Sequence, residues 1–235
     1  MIATADRLGA LERLARQFAP EGAGVVSFRP DGDARAYAAE AEAVARAVPA
    51  RRREFAAGRT AARSALAQLG IPPAPIPVGE GRAPVWPDGI AGSIAHCALG
   101  GIVIVARKGA VSALGVDLER DAALAPDLWP GVLTEEEISD LAGLPEDDRG
   151  RGALDRFVVK ETLFKAQYPL TGRMLDFDVV TVQFPQPGRF LARVDVPFGP
   201  FAAGDRLRGG LGRATGMVLA VAVLSDDVIL QRGSC

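Results

Sequence analysis

Two uninterrupted apolar runs, at residues 101–106 and 217–224, constrain the fold of this 235-residue chain more than any other feature. Both runs are far shorter than the roughly 20 apolar residues that cross a bilayer, so we expect a soluble protein with no membrane partner. Runs of this length that are bounded by turn residues are typical of buried β-strands. The sequence therefore predicts a core strand in each half of the chain.

Further elements surround these two runs. Apolar spacing predicts helices at residues 5–18, 36–48, 51–70 and 155–167, and a capping box at residues 134–137 predicts one more helix start. Predicted strands cover residues 24–28, 91–97, 101–107, 112–119, 178–184, 189–196 and 217–224. The Pro- and Gly-rich residues 71–89 and the charged residues 145–152 are predicted to be loops, and residues 209–210 a turn.

The order of these elements is similar in the two halves of the chain. Each half contains a helix with Phe and basic residues, then a loop, then strands that end in an apolar run. Aligning Phe55 with Phe157 places Arg63 opposite Lys165. This register fits an internal duplication, and a chance match in so short a window would give the same pattern.

We therefore predict an α+β fold of two pseudo-symmetric α/β halves. The N-terminal half covers residues 1–110 and the C-terminal half covers residues 111–235. A cleft between two such halves is a common place for a ligand site. A pseudo-duplicated chain can complete that cleft by itself, so we expect a monomer.

Charge and cysteine content exclude several classes of function. The formal net charge is -2, so no global field attracts nucleic acid or an anionic membrane. Two cysteines, Cys97 and Cys235, cannot build a disulfide framework, and the N-terminus lacks the pattern of a signal peptide. Both features predict a reduced, cytoplasmic setting. The sequence also lacks a phosphate-binding Walker loop, a dinucleotide fingerprint and a nucleophile elbow.

The segment around Asp117 and Glu119 is a candidate metal site. Side chains two residues apart on a strand point to the same face, so the two carboxylates would lie together. Adjacent carboxylates repel each other unless a cation lies between them or one binds a proton. Mg²⁺ suits such a site because it binds a few carboxylates together with water and substrate phosphates. A solvent-facing end of an edge strand would give the same pattern, so the motif alone leaves both interpretations open.

Two of the three lysines, Lys160 and Lys165, lie on one predicted helix with Glu161. Glu161 and Lys165 are four residues apart and therefore share a face of that helix. The pair fits an ordinary surface ion pair. A lysine also suits an anionic phosphate, as a flexible point charge.

A basic segment and the single histidine are the remaining candidates. Residues 51–63 contain five arginines and one glutamate, which fits a solvated helix face or a phosphomonoester site. No further basic stripe accompanies the segment, so nucleic acid is a poor fit. His96 has no second histidine and no cysteine pair to form a zinc site. It fits a structural role or a hydrogen bond to a phosphate oxygen.

Five motifs occur in a fixed order between residues 51 and 166. They are Arg51-Arg52-Arg53-Glu54-Phe55 with Arg59, Trp86-Pro87-Asp88-Gly89, Ser93-Ile94-Ala95-His96-Cys97, Gly115-Val116-Asp117-Leu118-Glu119 and Lys160-Glu161-Thr162-Leu163-Phe164-Lys165-Ala166. Together they resemble the 4′-phosphopantetheinyl transferases of the enterobactin/surfactin type. The resemblance is specific because order, spacing and residue type agree together, whereas each motif alone is weak.

The resemblance implies a transferase with coenzyme A as donor substrate. Such enzymes move 4′-phosphopantetheine to a serine of an apo acyl, peptidyl or aryl carrier protein and release 3′,5′-ADP. The resemblance also implies a Mg²⁺ ion, with Mn²⁺ as a substitute. Its implied ligands are Asp117, Glu119, Glu161 and the Val116 carbonyl.

The same resemblance implies roles for the other motif residues. Glu161 would take the serine proton, directly or through a metal-bound water. Lys165, with Lys160 as a further candidate, would neutralise the transferred phosphoryl group. The implied coenzyme A contacts are Arg51 and Arg59 at the 3′-phosphate, in the N-terminal half, and His96 with the Ala95 backbone at another phosphate.

The resemblance leaves some questions open. Val78 stands where relatives can carry a lysine, and Arg82 is the residue that could replace that contact. A non-catalytic coenzyme A or nucleotide-binding module of the same fold would carry most of the same motifs. A metal-dependent phosphodiesterase is a second alternative. The sequence does not distinguish siderophore, polyketide and lipid synthesis as the pathway that is served.

Overall fold

The computed structural model describes residues 4–109 and 111–225. Its helices are α1 (Thr4–Phe18), α2 (Ala38–Ala41), α3 (Pro49–Gln68), α4 (Trp129–Val132), α5 (Glu135–Ala142) and α6 (Glu146–Thr171). Its strands are β1 (Gly24–Phe28), β2 (Ile90–Cys97), β3 (Gly100–Arg107), β4 (Ala113–Arg120), β5 (Val180–Gln186), β6 (Arg189–Val194), β7 (Arg206–Ala214) and β8 (Met217–Leu224). Cys235 and the predicted boundary at residue 110 lie outside the described residues.

The strands form two antiparallel sheets. The first sheet has the order β1-β3-β2, and the second has the order β4-β8-β7-β6-β5. The two apolar runs of the sequence form β3 and β8, each of which pairs with a strand on both sides. Nearly all of their side chains are buried. The predicted α+β class is confirmed. Across both described ranges, no helix has the length and apolar character that crossing a membrane requires.

Each sheet is covered by one long helix. Small side chains of α3, among them Ala61 and Ala65, pack against the first sheet, and α6 packs through Val158 and Leu163 against the second. The helix α1 lies over strands of both sheets, because Leu11 joins a core that contains residues of β3, β4 and β8. One continuous core therefore links the two sheets.

The two halves repeat with a spacing of 97 residues. The helices α2 and α5 begin at Ala38 and Glu135, and α3 and α6 begin at Pro49 and Glu146. The alignment of Phe55 with Phe157 has a spacing of 102 and is wrong. Five residues turn a helix by about 140°, so that alignment compares different faces of the two long helices.

The helix α6 is longer than the sequence predicts. Its first turn contains Glu146, Asp147 and Asp148, and acidic side chains there stabilise the positive end of the helix dipole. The charged segment that was expected to be a loop is therefore helical. Pro169 lies in the last turn, where few backbone hydrogen bonds remain to be lost, and the helix ends at Gly172 with a φ of 64°.

Two further segments differ from their predictions. Residues 36–48 form only α2 and a 3₁₀ turn, Glu42–Val44, rather than one helix. The predicted turn at Gly209 and Gly210 lies inside β7. A Cβ at these two positions would overlap the rings of Phe190 and Phe18. The glycines therefore allow close packing against the strand rather than a turn.

Candidate active site

Asp117 lies on the face of β4 that packs against α6. Its neighbours Leu114, Val116 and Leu118 point into the core on the other face, as the alternation of a strand requires. Asp117 is 5% exposed. A buried carboxylate needs partners, because burial without them carries a large free-energy cost.

Gly115 allows α6 to approach this strand closely. A Cβ at this position would overlap the backbone carbonyl oxygen of Thr162. Because the helix lies so near, Lys165 reaches across to the strand, and its Nζ donates to Asp117 Oδ1 at 2.6 Å. Lys165, which follows Glu161 by four residues in the sequence, is thus an ion-pair partner of Asp117.

Glu119 and Glu161 lie in the electrostatic field of Asp117. Both carboxyls are half-buried. Burial raises the pKa of Glu161, and the nearby charge of Asp117 raises it further. Burial also raises the pKa of Glu119, again with a contribution from Asp117. Three carboxylates share one ammonium group, that of Lys165, so this region favours a further cation.

The residues present fit a divalent ion at Asp117. Its second oxygen, Oδ2, is buried and has no hydrogen-bond partner among the described residues, a costly arrangement for a carboxylate. A cation would satisfy that oxygen. Within residues 4–109 and 111–225, however, no three His, Cys, Asp or Glu side chains are already gathered into a metal-binding group. Val116 could contribute only its backbone carbonyl, since its side chain is in the core and its N–H donates to Ser93 Oγ at 3.1 Å.

A basic cavity of about 220 Å³ lies in the N-terminal half. Its wall brings together Arg51, Arg59, Arg82 and His96. Arg51 Nη1 lies 3.0 Å from His96 Nε2, and the imidazole nitrogen must accept because a guanidinium can only donate. Burial lowers the pKa of His96, which favours the neutral ring.

Arg59 is the most buried cation of this cavity. It is 6% exposed, and its guanidinium carbon lies 4.5 Å from the centre of the Phe55 ring. Burial lowers its pKa to about 10, so it stays charged at neutral pH. Its Nε has no hydrogen-bond partner within the described part of the chain. A buried guanidinium with a free N–H fits an anionic ligand.

Val78, Arg82 and Ala95 are the neighbouring residues that the family pattern singles out. Val78 and Arg82 both line the basic cavity, so Arg82 can occupy the place of the lysine expected at Val78. Arg82 has a φ of 65°, a region that residues other than glycine rarely adopt. The side chain of Ala95 is buried in the core, and only its backbone is left for a ligand contact.

Three cavities follow one another from the basic region to Glu161. Arg82 and Ile94 line both the basic cavity and a second one of about 210 Å³ that includes Lys165. Phe164 lines this second cavity and a third, of about 320 Å³, whose wall contains Glu161. The third cavity is mainly apolar. Its apolar wall is formed by Leu163, Phe164, Met174, Leu175, Phe177, Val179, Val180 and Phe198.

Lys160 does not join the carboxylate group. It is 3% exposed, and its Nζ donates to Glu137 Oε2 and to the Phe177 carbonyl, each at 2.6 Å. Both acceptors engage the ammonium, while the side chain also lines the third cavity together with Glu161, so the expected role of Lys160 at the phosphoryl group stays a prediction. The sequence identified Glu137 only as part of a capping box, which reveals its helix but not its partner on α6.

Models of two known domains match this chain. The model of the 4′-phosphopantetheinyl transferase N-terminal domain matches residues 39–106, and the model of the 4′-phosphopantetheinyl transferase superfamily matches residues 113–211. The first match contains the arginines and histidine of the basic cavity. The second contains Asp117, Glu119, Glu161 and Lys165. Both halves of the site are therefore covered.

Individual relatives agree with these matches. The chain is 44% identical over 190 residues to the 4′-phosphopantetheinyl transferase Svp of Streptomyces mobaraensis. This alignment covers 79% of this chain and 76% of the relative. The chain is 37% identical over 195 residues to the 4′-phosphopantetheinyl transferase PptT of Mycobacterium tuberculosis, with 79% and 84% covered. It is 34% identical over 138 residues to enterobactin synthase component D of Escherichia coli, with 56% and 62% covered.

Proposed function

The chain belongs to the 4′-phosphopantetheinyl transferase superfamily, and from this premise we propose that it moves 4′-phosphopantetheine from coenzyme A to a serine of an apo carrier protein. The membership confirms the resemblance that the sequence motifs carry, and the chain is an enzyme of this class. The donor, the metal ion, the released 3′,5′-ADP and the roles of single residues belong to our proposal.

The succession of three cavities is the observation that carries the proposal. Coenzyme A has a phosphorylated nucleoside at one end, a diphosphate in the middle and an uncharged pantetheine arm at the other end. The cavities present arginines first, then Lys165, the ion-pair partner of Asp117, then an apolar wall beside Glu161. We assign the 3′-phosphate to Arg51 and Arg59 and the diphosphate to Lys165, His96 and the Ala95 backbone.

Asp117, Glu119, Glu161 and the Val116 carbonyl would hold a Mg²⁺ ion, which Mn²⁺ can replace. The ion supplies positive charge that offsets the charge of the diphosphate. The unpartnered Oδ2 of Asp117 supports this assignment.

The chain's own groups then position the reactants. Glu161, beside the apolar cavity, accepts the proton of the carrier serine. The serine oxygen forms a bond to the phosphorus that bears pantetheine, and the bond from this phosphorus to the 3′,5′-ADP oxygen breaks. Lys165 stabilises the negative charge on the transferred phosphoryl group, which is the main task in such a reaction. The nucleophile belongs to the partner, in agreement with the lack of a nucleophile motif in the sequence.

The test incubates the purified protein with coenzyme A, Mg²⁺ and a panel of apo carrier proteins, followed by intact-mass spectrometry. The proposal predicts that at least one carrier gains the mass of phosphopantetheine and that 3′,5′-ADP appears in equal amount. Binding of coenzyme A without transfer to any carrier would identify a non-catalytic module. Cleavage of coenzyme A without a carrier would identify a phosphodiesterase.

A further inference from the structure

A buried carboxylate ties together three segments of the N-terminal half. Glu40, in α2, is fully buried. Its Oε1 accepts from Arg63 Nη1 at 2.7 Å and from the Ile76 N–H at 2.8 Å, and its Oε2 accepts from the Tyr37 N–H at 2.8 Å. We call these contacts the N-clamp. The N-clamp joins α2, the long helix α3 and the loop that follows it.

The C-terminal half contains the same arrangement 97 residues later. Glu137, in α5, is fully buried. Its Oε2 accepts from Lys160 Nζ at 2.6 Å and from the Thr134 N–H at 2.8 Å, and its Oε1 accepts from the Val182 N–H at 2.7 Å. We call these contacts the C-clamp. The C-clamp joins α5, the long helix α6 and the strand β5.

The two clamps lie next to different parts of the site. In the N-clamp, Arg63 lies one helical turn after Arg59 on α3, so it fixes the helix face that carries the buried cation of the basic cavity. In the C-clamp, Lys160 directly precedes Glu161, and its ammonium also holds the carbonyl of Phe177. Phe177 lines the apolar cavity, so the C-clamp fixes both the carboxylate and a second residue of that cavity.

We propose that the clamps position the two ends of the site separately, the N-clamp for binding of coenzyme A and the C-clamp for the transfer step. This inference rests on the proposed function. Lys160 and Glu137 are then positioning residues, since their charged groups bind each other and the Phe177 carbonyl. Their contribution is the placement of Glu161.

Neutral double variants test this separation. Replacing a buried ion pair by uncharged groups of similar volume often leaves stability nearly unchanged, whereas removing one partner leaves a buried charge. The C-clamp variant is therefore Lys160→Met/Glu137→Gln, and its matched control is Arg63→Met/Glu40→Gln in the N-clamp. Steady-state transfer to a carrier that the wild type modifies is measured for each, with thermal unfolding to establish the folded fraction.

The two double variants should change different kinetic parameters. The C-clamp variant should lose about tenfold or more in kcat with the KM for coenzyme A within about threefold of wild type, because small displacements of a reacting group are costly. The N-clamp variant should raise that KM about tenfold or more with kcat within about threefold. Equal effects of both variants on kcat and KM, or losses that only follow the folded fraction, would overturn the inference.

If a double variant does not fold, charge-conserving variants test the separate roles of the two clamps. Lys160→Arg and Arg63→Lys keep each pair charged and change only its geometry. The same division between kcat and KM is expected, with smaller changes of about threefold, and its absence would overturn the inference. Failure of the wild type to modify any carrier would instead refute the proposed function.

Discussion

Glu161 is the residue at which the charged and the apolar parts of the site meet. It shares the field of Asp117 and also forms part of the wall of the apolar cavity. A carrier serine brought to the diphosphate would therefore approach this carboxylate. Its neighbour Lys160 is 3% exposed and donates to Glu137 instead, so adjacent residues of one motif have different partners.

Replacing Glu161 by Gln should lower kcat for transfer about 10²- to 10⁴-fold, the usual contribution of a positioned general base. The amide keeps the shape of the side chain but cannot take the serine proton. Glu21→Gln, at an exposed position, is the matched control and should leave the rate unchanged. A wild-type rate in the Glu161 variant would show that another group accepts the proton.

Replacing Arg59 by Gln should weaken the binding of coenzyme A about 10- to 100-fold, because a charge-assisted hydrogen bond contributes about 1.5–3 kcal/mol. Dephospho-coenzyme A, which lacks the 3′-phosphate, should bind equally well to the variant and the wild type. Isothermal titration calorimetry measures both ligands. An equal loss for both would place Arg59 at some other part of the molecule.

Acidification should destabilise the protein through His96. Burial lowers the pKa of this imidazole below its ordinary value of 6.5, so the unfolded chain binds the proton more readily. Above pH 6.5 the imidazole is neutral in both the folded and the unfolded state, so it does not reduce the stability. Stability is lost as pH falls through the lower folded-state pKa. Arg51, Glu54, Lys165 and Asp117 are the charged groups that act on the ring.

Chemical denaturation between about pH 7.5 and about pH 5.5 measures this effect. His96→Gln should lose less stability on acidification than the wild type, because the variant has no imidazole to protonate. An equal loss of unfolding free energy in the two proteins would mean that His96 does not contribute to the pH dependence of stability.

At the scale of elements, local sequence signals predicted local structure well. The capping box of Thr134 and Glu137 is present at the start of α5, and β3 and β8 follow the two apolar runs. The errors arose where tertiary contacts override composition. Glycine is a typical turn residue, yet Gly209 allows Phe190 to pack against β7.

Gly115→Ala should destabilise the protein by about 1–3 kcal/mol, the usual cost of adding a methyl group to a tightly packed contact. The new Cβ would push α6 away from β4 and separate Lys165 from Asp117. The transfer rate should therefore fall together with stability. Urea denaturation and steady-state transfer measure the two effects.

Gly131→Ala is the control for this substitution. Gly131 is exposed in α4 and has no neighbouring atom within 4 Å of the added carbon. Stability should be unchanged or slightly higher, because alanine favours a helix. Equal stability of the Gly115 variant and the control would contradict the close approach of α6 to β4.

At the scale of the whole molecule, the site depends on contacts between distant segments. The motifs identified the site residues, and the alternation of side chains along a strand placed Asp117 and Glu119 on one face. No local pattern shows that Lys165 pairs with Asp117, 48 residues away, or that Lys160 turns to Glu137. The Glu40–Arg63 and Glu137–Lys160 pairs have the same separation of 23 residues. This equal spacing of an acidic and a basic residue is a sequence signal that could have revealed the repeat.

Diffraction from crystals grown with coenzyme A and Mn²⁺, recorded where manganese scatters anomalously, tests the arrangement most directly. We predict one anomalous peak that is bonded to oxygens of Asp117, Glu119 and Glu161 and to the diphosphate, with Arg59 at the 3′-phosphate. Coenzyme A bound with those three carboxylates directed apart, or a manganese peak elsewhere in the molecule, would contradict the account.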